Sequence, residues 1–428
     1  MPADSKQSPP PGEGPGAPGG PVPLLLSHAR LTDGRTVDVR LAGGRIEAVG
    51  TAGSLAPAGP GARVDLSGYL LLPAPAEPHA HADTALSADS PGPLSYASDE
   101  VRRRATEAAL LQLGHGATAL RAHVGIGGAH GLGPLEGVLG ARRSLRGLCE
   151  LTTVAVPGPL TGAAGADGRA LLRDAVRTGA DAVGGRPDLD PDPVGYAEAV
   201  LEVAAEHGVP VDLHTDGDDP AWLTRFAAMA GGLRAGVTVG PCAGLGRLPP
   251  EVAGRAADRL AAAGVAVVCL PQGGCAGAGT RGGAPARLLR SAGVRLAAGS
   301  GALRDAANPV GRGDPLEAAY LLASLGGFSP GEAYGAVGAG ARAVLGLPEV
   351  RVEAGFPAEL LAVRGTRLAG VLSLAYSRIV VHRGRVVART SAVREYCDSA
   401  AAPGLPRQAR PGRPSGPGSP PAGPVVRS

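Results

Sequence analysis

The chain has 428 residues, of which 44% are apolar but only 3% aromatic, and its formal net charge is +3 at pH 7. Positive and negative residues are interspersed along it, so the charge pattern predicts no surface for nucleic acid. No run approaches the roughly 18 uninterrupted apolar residues of a membrane span, so we expect no membrane association.

The cysteines indicate an intracellular setting. They are five in number and show no CxxC spacing (Cys149, Cys242, Cys269, Cys275 and Cys397). We interpret them as reduced thiols in a cytoplasmic protein. The first residues, MPADSKQSPPP, lack a charged segment followed by an apolar run, so we expect no secretory signal.

The chain ends and the segments next to them differ from the middle. Residues 1–22 and 396–428 are rich in Pro, Gly and Ser, and we expect a disordered leader and a disordered tail. Short alternating β runs with Gly and Asp turns occupy residues 23–72 and recur at 346–395. Because these two flanks bracket the middle of the chain, we predict that they pair in space as one small β-sandwich.

Residues 73–345 alternate helices with short apolar strands. The first helix is predicted to have Asp99 as its N-cap and to end at Gly114, and a strand follows at 118–124. Further helix–strand pairs are predicted at 170–178 and 180–184, 194–207 and 209–214, 221–233 and 236–240, 251–263 and 265–270, and 286–291 and 294–298. Helices from about 315 and 330 close the series. About eight such units favour a closed (β/α)₈ barrel of the α/β class over an open sheet.

In such a barrel, functional groups lie at the carboxyl ends of the strands. His79 and His81 follow the run 69–73 with a spacing that places both on one face of a strand, and His214 ends another strand. Three imidazoles in this arrangement predict a site for one divalent metal, Zn²⁺ or Fe²⁺. The alternative is that these are ordinary polar histidines with satisfied hydrogen bonds.

Four segments, EPHAHAD, GADAVGGRPDLD, VDLHTDGDD and AGSGALRDAANPVGRGDPLEAA, resemble the amidohydrolase superfamily, most closely its cytosine deaminase-like branch. The resemblance runs from about residue 23 to 392. It implies a barrel with a small β-sandwich and one divalent metal held by His79, His81 and His214. It also implies hydrolytic attack of metal-activated water on a cyclic C–N bond of a small heterocycle or amide, and members of the family often form homo-oligomers. A carboxylated lysine between two metals fits poorly, because Lys6 is the only lysine.

The sequence departs from the family pattern where proton chemistry is expected. Gly217 stands where the family has the proton-shuttle Glu, Pro241 where it has the polarising His, and Gly301 where it has the Asp that is metal ligand and base. Gly158 and Ala307 stand where substrate-binding side chains are expected. Because a positioned acid–base group contributes about 10²- to 10⁴-fold in rate, we expect deamination to be weak or absent. We also expect the metal to be weakly bound or lost.

Two hypotheses therefore remain. The chain is an enzyme with an unusual base, for which Asp216 and Asp305 are the candidates, or a non-catalytic pseudoenzyme that binds a small molecule or a partner protein at the barrel mouth. Arg281, in the Gly-rich segment 273–283, and His123, at a strand end, are candidate substrate-binding residues. The alternatives are a solvated arginine and an ordinary buried histidine.

Overall fold

The computed structural model describes residues 22–56, 62–163, 165–273 and 283–392. Short strands occupy the N-terminal flank, as its alternating pattern predicts. They are β1 (Leu24–Arg30), β2 (Thr36–Ala42), β3 (Arg45–Thr51), β4 (Ala62–Asp65) and β5 (Tyr69–Pro73).

Eight parallel strands form the middle of the molecule, each hydrogen-bonded to the next along the chain. They are β6 (Ala76–Ala80), β7 (Ala119–Ile126), β8 (Glu150–Pro157), β9 (Ala182–Gly185), β10 (Val211–Thr215), β11 (Val237–Pro241), β12 (Ala266–Cys269) and β13 (Arg295–Ala298). A parallel bridge between Ala80 and Gly301 brings the first strand next to the segment after the last. The predicted (β/α)₈ barrel is thereby confirmed.

Helices connect these strands and follow the last of them. They are α1 (Ser98–Gly114), α2 (Gly133–Ser144), α3 (Gly165–Thr178), α4 (Pro193–His207), α5 (Pro220–Ala230), α6 (Pro250–Ala262), α7 (Ala286–Ser291), α8 (Pro315–Ser324), α9 (Pro330–Gly335) and α10 (Ala341–Val344). Helix α1 ends at Gly114 as predicted, but it begins at Ser98, so Asp99 is not its N-cap. Asp99 lies instead in the first turn, where a carboxylate interacts favourably with the helix dipole. No helix in the described ranges is both long and apolar enough to cross a bilayer.

Some of the strand residues that point into the barrel are polar. On β10, Val211 and Leu213 pack into the core shared with the helices, and the intervening Asp212 is fully buried on the opposite face. Successive side chains of a strand point to opposite faces, so Asp212 and His214 point inward together. The interiors of such barrels are usually filled by branched aliphatic side chains. Buried ionisable groups in this one therefore call for a functional explanation.

The C-terminal flank contributes β14 (Leu360–Arg364), α11 (Leu368–Leu374), β15 (Arg378–His382) and β16 (Arg385–Thr390). Strand β14 pairs antiparallel with β5, with Ala362 opposite Leu71, so the two flanks join one eight-stranded sheet. Leu71, Leu360 and Ile379 pack in its apolar core. The prediction that the flanks meet in space is thus confirmed.

Candidate metal centre and cavity

Four histidines meet at the carboxyl ends of three barrel strands. His79 lies on β6 and His81 directly after it, His123 lies on β7 and His214 on β10, and all four are buried. One nitrogen each of His79, His123 and His214 lies within 4.8 Å of the others. The Nε2 atoms of His81 and His214 are 3.3 Å apart. The structure thus brings the three predicted histidines together and adds His123 to them.

Burial holds three of these imidazoles, those of His79, His81 and His214, in the neutral form. Burial lowers the pKa of His79, His81 and His214 well below the usual value, and neighbouring imidazoles lower it further. A neutral imidazole offers a nitrogen lone pair, which is the form that binds Zn²⁺ and Fe²⁺. These three residues therefore have the protonation state that a metal site requires.

Two nitrogens of the cluster have a specific need for a partner. Nδ1 of His123 and Nδ1 of His214 are buried, and neither has a hydrogen-bond partner within the described part of the chain. An unsatisfied buried polar atom costs about 1–3 kcal/mol, so natural structures rarely leave one without a reason. A divalent ion would satisfy such atoms, so these residues fit a metal.

A buried ion pair lies next to His123 of the cluster. Arg121 Nη1 donates to Asp212 Oδ2 at 3.1 Å, and Nε2 of His123 lies 3.3 Å from Asp212 Oδ1. Burial raises the pKa of Asp212, but the attraction of His123 and Arg121 outweighs it, so the pKa lies below its usual value. An ionised carboxylate behind an imidazole fixes the orientation of the ring, as in many metal sites.

Glu77 joins the first strand to the segment after the last. Its Oε1 accepts from the His79 backbone N–H at 3.0 Å, and its Oε2 accepts from the Ser300 N–H at 2.8 Å. Burial raises the pKa of Glu77 to about 7, although these hydrogen bonds oppose the shift. Glu77 thus anchors the backbone of His79. Glu77 is part of the sequence EPHAHAD, but the sequence alone predicts no role for it.

A cavity of about 740 Å³ opens over the histidines. Its volume lies within the range of about 300–1,000 Å³ that is typical of small-molecule sites. His81 and His123 belong to its lining, together with other polar side chains and several apolar ones (Asp83, Tyr96, His130, Arg186, Asp305, Leu94, Ile126, Val156 and Leu189).

The two candidate bases lie in different places. Asp305 lines the cavity, where its Oδ2 accepts from the Thr84 hydroxyl at 2.7 Å and its Oδ1 from the Ala307 N–H at 2.8 Å. Asp216 does not line the cavity and is paired with Arg247. Of the two, only Asp305 shares a space with the histidines.

Asp83 also lines the cavity, and the sequence did not predict a role for it. Its Oδ2 accepts from the Gly125 N–H at 2.9 Å, and its Oδ1 is buried without a hydrogen-bond partner among the described residues. Burial raises its pKa. Its position two residues after His81 is the sequence feature that could have indicated a role for Asp83 in the site.

Two of the positions where we expect a departure from the family pattern have backbone conformations that suit glycine. Gly217 and Gly301 both have φ of +71°. A Cβ added at Gly301 would lie 3.1 Å from Leu270 Cδ1. This region of φ favours glycine, so any other residue is strained there. Pro241 ends β11, Gly158 and Ala307 line the cavity, and Arg281 lies outside the described residues.

Comparisons with known proteins agree with this geometry. The model of the amidohydrolase family matches residues 94–388. A pterin deaminase of Rhizobium rhizogenes is 30% identical over 237 residues, which cover 51% of this chain and 54% of that protein. The match therefore spans about half the length of this curated relative.

Two solved structures are similar over most of the chain. The N-isopropylammelide isopropylaminohydrolase of Burkholderia multivorans has a TM-score of 0.77 at 27% identity, over 87% of this chain and all of that one. The 5-methylcytosine deaminase of Klebsiella pneumoniae has a TM-score of 0.76 at 22% identity, over 88% of this chain and all of that one. The second likeness shows the fold alone.

Proposed function

Because this chain belongs to the amidohydrolase family, we propose that it is a metal-binding, deaminase-like protein whose cavity takes a small heterocycle or amide. We propose further that ordinary deamination by it is weak. The observation that carries the proposal is the convergence of four buried histidines beneath a cavity.

The histidines would hold one divalent ion, zinc or iron. His79, His123 and His214 have nitrogens close enough to share it, and His81 lies beside His214. A bound ion would supply Lewis-acid chemistry. Asp212 orients His123, and Glu77 anchors His79. The chain's own part is thus to hold neutral imidazoles in fixed orientations.

Hydrolytic deamination adds water to the ring carbon, breaks its C–N bond and releases ammonia. One proton must leave the water, and one must reach the departing nitrogen. Of the two predicted bases, Asp305 supports this role better than Asp216, because it lines the same cavity as His81 and His123. Its oxygens already accept hydrogen bonds from Thr84 and Ala307, which restrains the group. Slow turnover follows from this arrangement.

A second candidate function is non-catalytic binding. Gly217, Pro241 and Gly301 supply no titratable side chain, and the first and last have the positive φ that suits glycine. Their backbones are therefore adapted to the absence of a catalytic Glu and Asp. This observation favours a pseudoenzyme that retains the cavity and the histidines.

Metal content and ammonia release test the two functions together. We expect the purified chain to hold one equivalent of zinc or iron and to release ammonia slowly from cytosine or pterin. The Asp305→Asn variant should lose this turnover, whereas Asp216→Asn should retain it. Bound metal with no turnover would favour the binding function. A folded chain that takes up neither zinc nor iron would contradict the metal site.

A further inference from the structure

Arg186 is the first side chain that the chain can place beyond strand β9. A Cβ at Gly184 would lie 2.2 Å from the Asp212 carbonyl oxygen, and one at Gly185 would lie 2.1 Å from the Tyr196 hydroxyl. Close packing therefore leaves no space for side chains at 184 and 185. Arg186 follows them directly, and its exposed side chain belongs to the cavity lining.

The charge of Arg186 lies near the histidine cluster. Arg186 lines the same cavity as His81 and His123. Within the described ranges, the Arg186 guanidinium has no hydrogen-bond or ion-pair partner of its own. The backbone of Arg186 is engaged: its N–H donates to the Tyr196 hydroxyl, and its carbonyl accepts from the Leu189 N–H. Arginine remains charged at all physiological pH values. The cavity thus contains a permanent cation that makes no direct ion pair among the described residues.

The acids of the cavity accept their hydrogen bonds from donors other than Arg186. Asp305 accepts from Thr84 and Ala307. Asp83 accepts from Gly125 through one oxygen, and its other oxygen has no partner among the described residues. Asp190, which also lines the cavity, accepts from the N–H groups of Leu160, Thr161 and Asp192 and from the Thr161 hydroxyl. None of these carboxylates pairs with Arg186 in the described structure. The missing anion is therefore expected from the ligand.

We infer that Arg186 is a specificity-determining residue that binds a carboxylate of the ligand, so that the preferred ligands are carboxylated heterocycles rather than neutral bases. The inference rests on the proposed function in one respect, namely that the ligand occupies this cavity. A guanidinium binds a carboxylate through two parallel hydrogen bonds. Arg186 is the only arginine or lysine among the described lining residues, and its single charge matches a carboxylate better than a phosphate dianion.

The cavity also suits a planar ring. Tyr96 and His130 both line it, and their rings pack with centroids 4.8 Å apart and planes 32° from each other. Aromatic faces stack favourably on other planar rings. A heterocycle can pack against this pair while its carboxylate reaches Arg186.

Binding of matched ligand pairs tests the inference on the full chain. The pairs are uracil with orotate, and pterin with pterin-6-carboxylate, measured by calorimetry or fluorescence. We expect the carboxylated member of at least one pair to bind about tenfold more tightly or better, because hydrogen bonds between charged groups are the stronger ones. Arg186→Gln should abolish this preference without weakening the neutral member, and Arg186→Lys should retain part of it.

The control variant is Arg290→Gln, because Arg290 pairs with Glu332 and does not line the cavity. This variant should retain the preference. The circular dichroism spectrum of every variant should match that of the wild type, which shows that the variants fold. Equal affinity for both members of each pair, or a preference that survives Arg186→Gln, would overturn the inference, as would tighter binding of cytidine monophosphate than of either carboxylate. Metal content is measured in parallel: a metal-loaded chain without the preference refutes only Arg186, and a preference without metal refutes only the metal site.

Discussion

The Nε2 atoms of His81 and His214 lie 3.3 Å apart, although 133 positions separate the two residues. Two neutral imidazoles offer each other one hydrogen bond at most, so this approach uses little of their binding capacity. His123 and His214 each retain a buried Nδ1 without a partner among the described residues. The cluster is better arranged to bind an ion than to satisfy itself.

Metal binding should stabilise the fold measurably. Zinc at 100 times its Kd is expected to raise the free energy of unfolding by about 2.7 kcal/mol, because only the folded chain presents the cluster. His214→Ala should remove most of this gain. The matched control is His28→Asn, since His28 lies in the other sheet, paired with Asp65. An equal gain in stability for wild type and His214→Ala in denaturant titrations would contradict the site.

The metal-free chain should lose stability as the pH falls below about 6.5. Burial lowers the pKa of His79, His81 and His214 in the folded state, so the unfolded chain binds more protons there. Stability is therefore complete above the unfolded histidine pKa of about 6.5 and declines below it, by up to about 1.4 kcal/mol per pH unit for each histidine. Urea titrations at pH 7.0 and 5.5, with a chelator present, measure the decline.

Glu77 should oppose this trend. Its pKa is about 7 in the folded chain against a usual 4.5, so the folded state binds the extra proton between these values. The contribution of Glu77 to stability is present at pH 4.5 and is lost as the pH rises through 7. Glu77→Gln should therefore steepen the acid-side decline of stability. An unchanged slope would show that Glu77 does not titrate in this range.

Asp212 should matter for both stability and metal affinity. Asp212→Asn leaves Arg121 as a buried charge without its ionic partner, which is expected to cost about 3–5 kcal/mol. Loss of the carboxylate behind His123 should also weaken zinc binding about 10- to 100-fold. The comparison is Asp181→Asn, whose pair with Arg142 is partly exposed and should contribute about 1 kcal/mol or less. Similar losses in the two variants would contradict the supporting role of Asp212.

Restoring a side chain at Gly301 should destabilise the protein. Gly301→Ala is expected to cost about 1–3 kcal/mol, because its φ is +71° and the added Cβ meets Leu270. Gly254→Ala, in α6 with open space around the added Cβ, should instead be neutral or stabilise by up to about 1 kcal/mol. Thermal melts of both variants make the comparison. A stable and active Gly301→Asp variant would show that the position tolerates a carboxylate.

The barrel was predictable because helix and strand periodicities alternate over most of the chain. The histidine cluster was partly predictable because His79, His81 and His214 lie near the carboxyl ends of predicted strands. His123 was predicted only as a substrate-binding residue, and its place in the cluster was not predictable, since it depends on the register between β7 and its neighbours. A finer pattern was nevertheless available. Each of three strands carries a charged residue two positions before a histidine (Glu77–His79, Arg121–His123 and Asp212–His214).

Arg186 illustrates a different limit. The sequence GGRPDLD belongs to a segment that carried the family resemblance. Spacing alone does not reveal that Asp212 and Tyr196 leave no space for side chains at Gly184 and Gly185. That fact depends on packing between distant parts of the chain. Asp305 and Asp216 were likewise equivalent in the sequence and separate only in three dimensions, where one faces the cavity and the other is paired with Arg247.

The buried pair of Arg121 and Asp212 links strand β7 to strand β10. Chimeras with related barrels must therefore exchange these two strands together. Grafting either strand alone would bury one charge of the pair without its partner. The hybrid would then fail to fold for reasons unrelated to the grafted histidine.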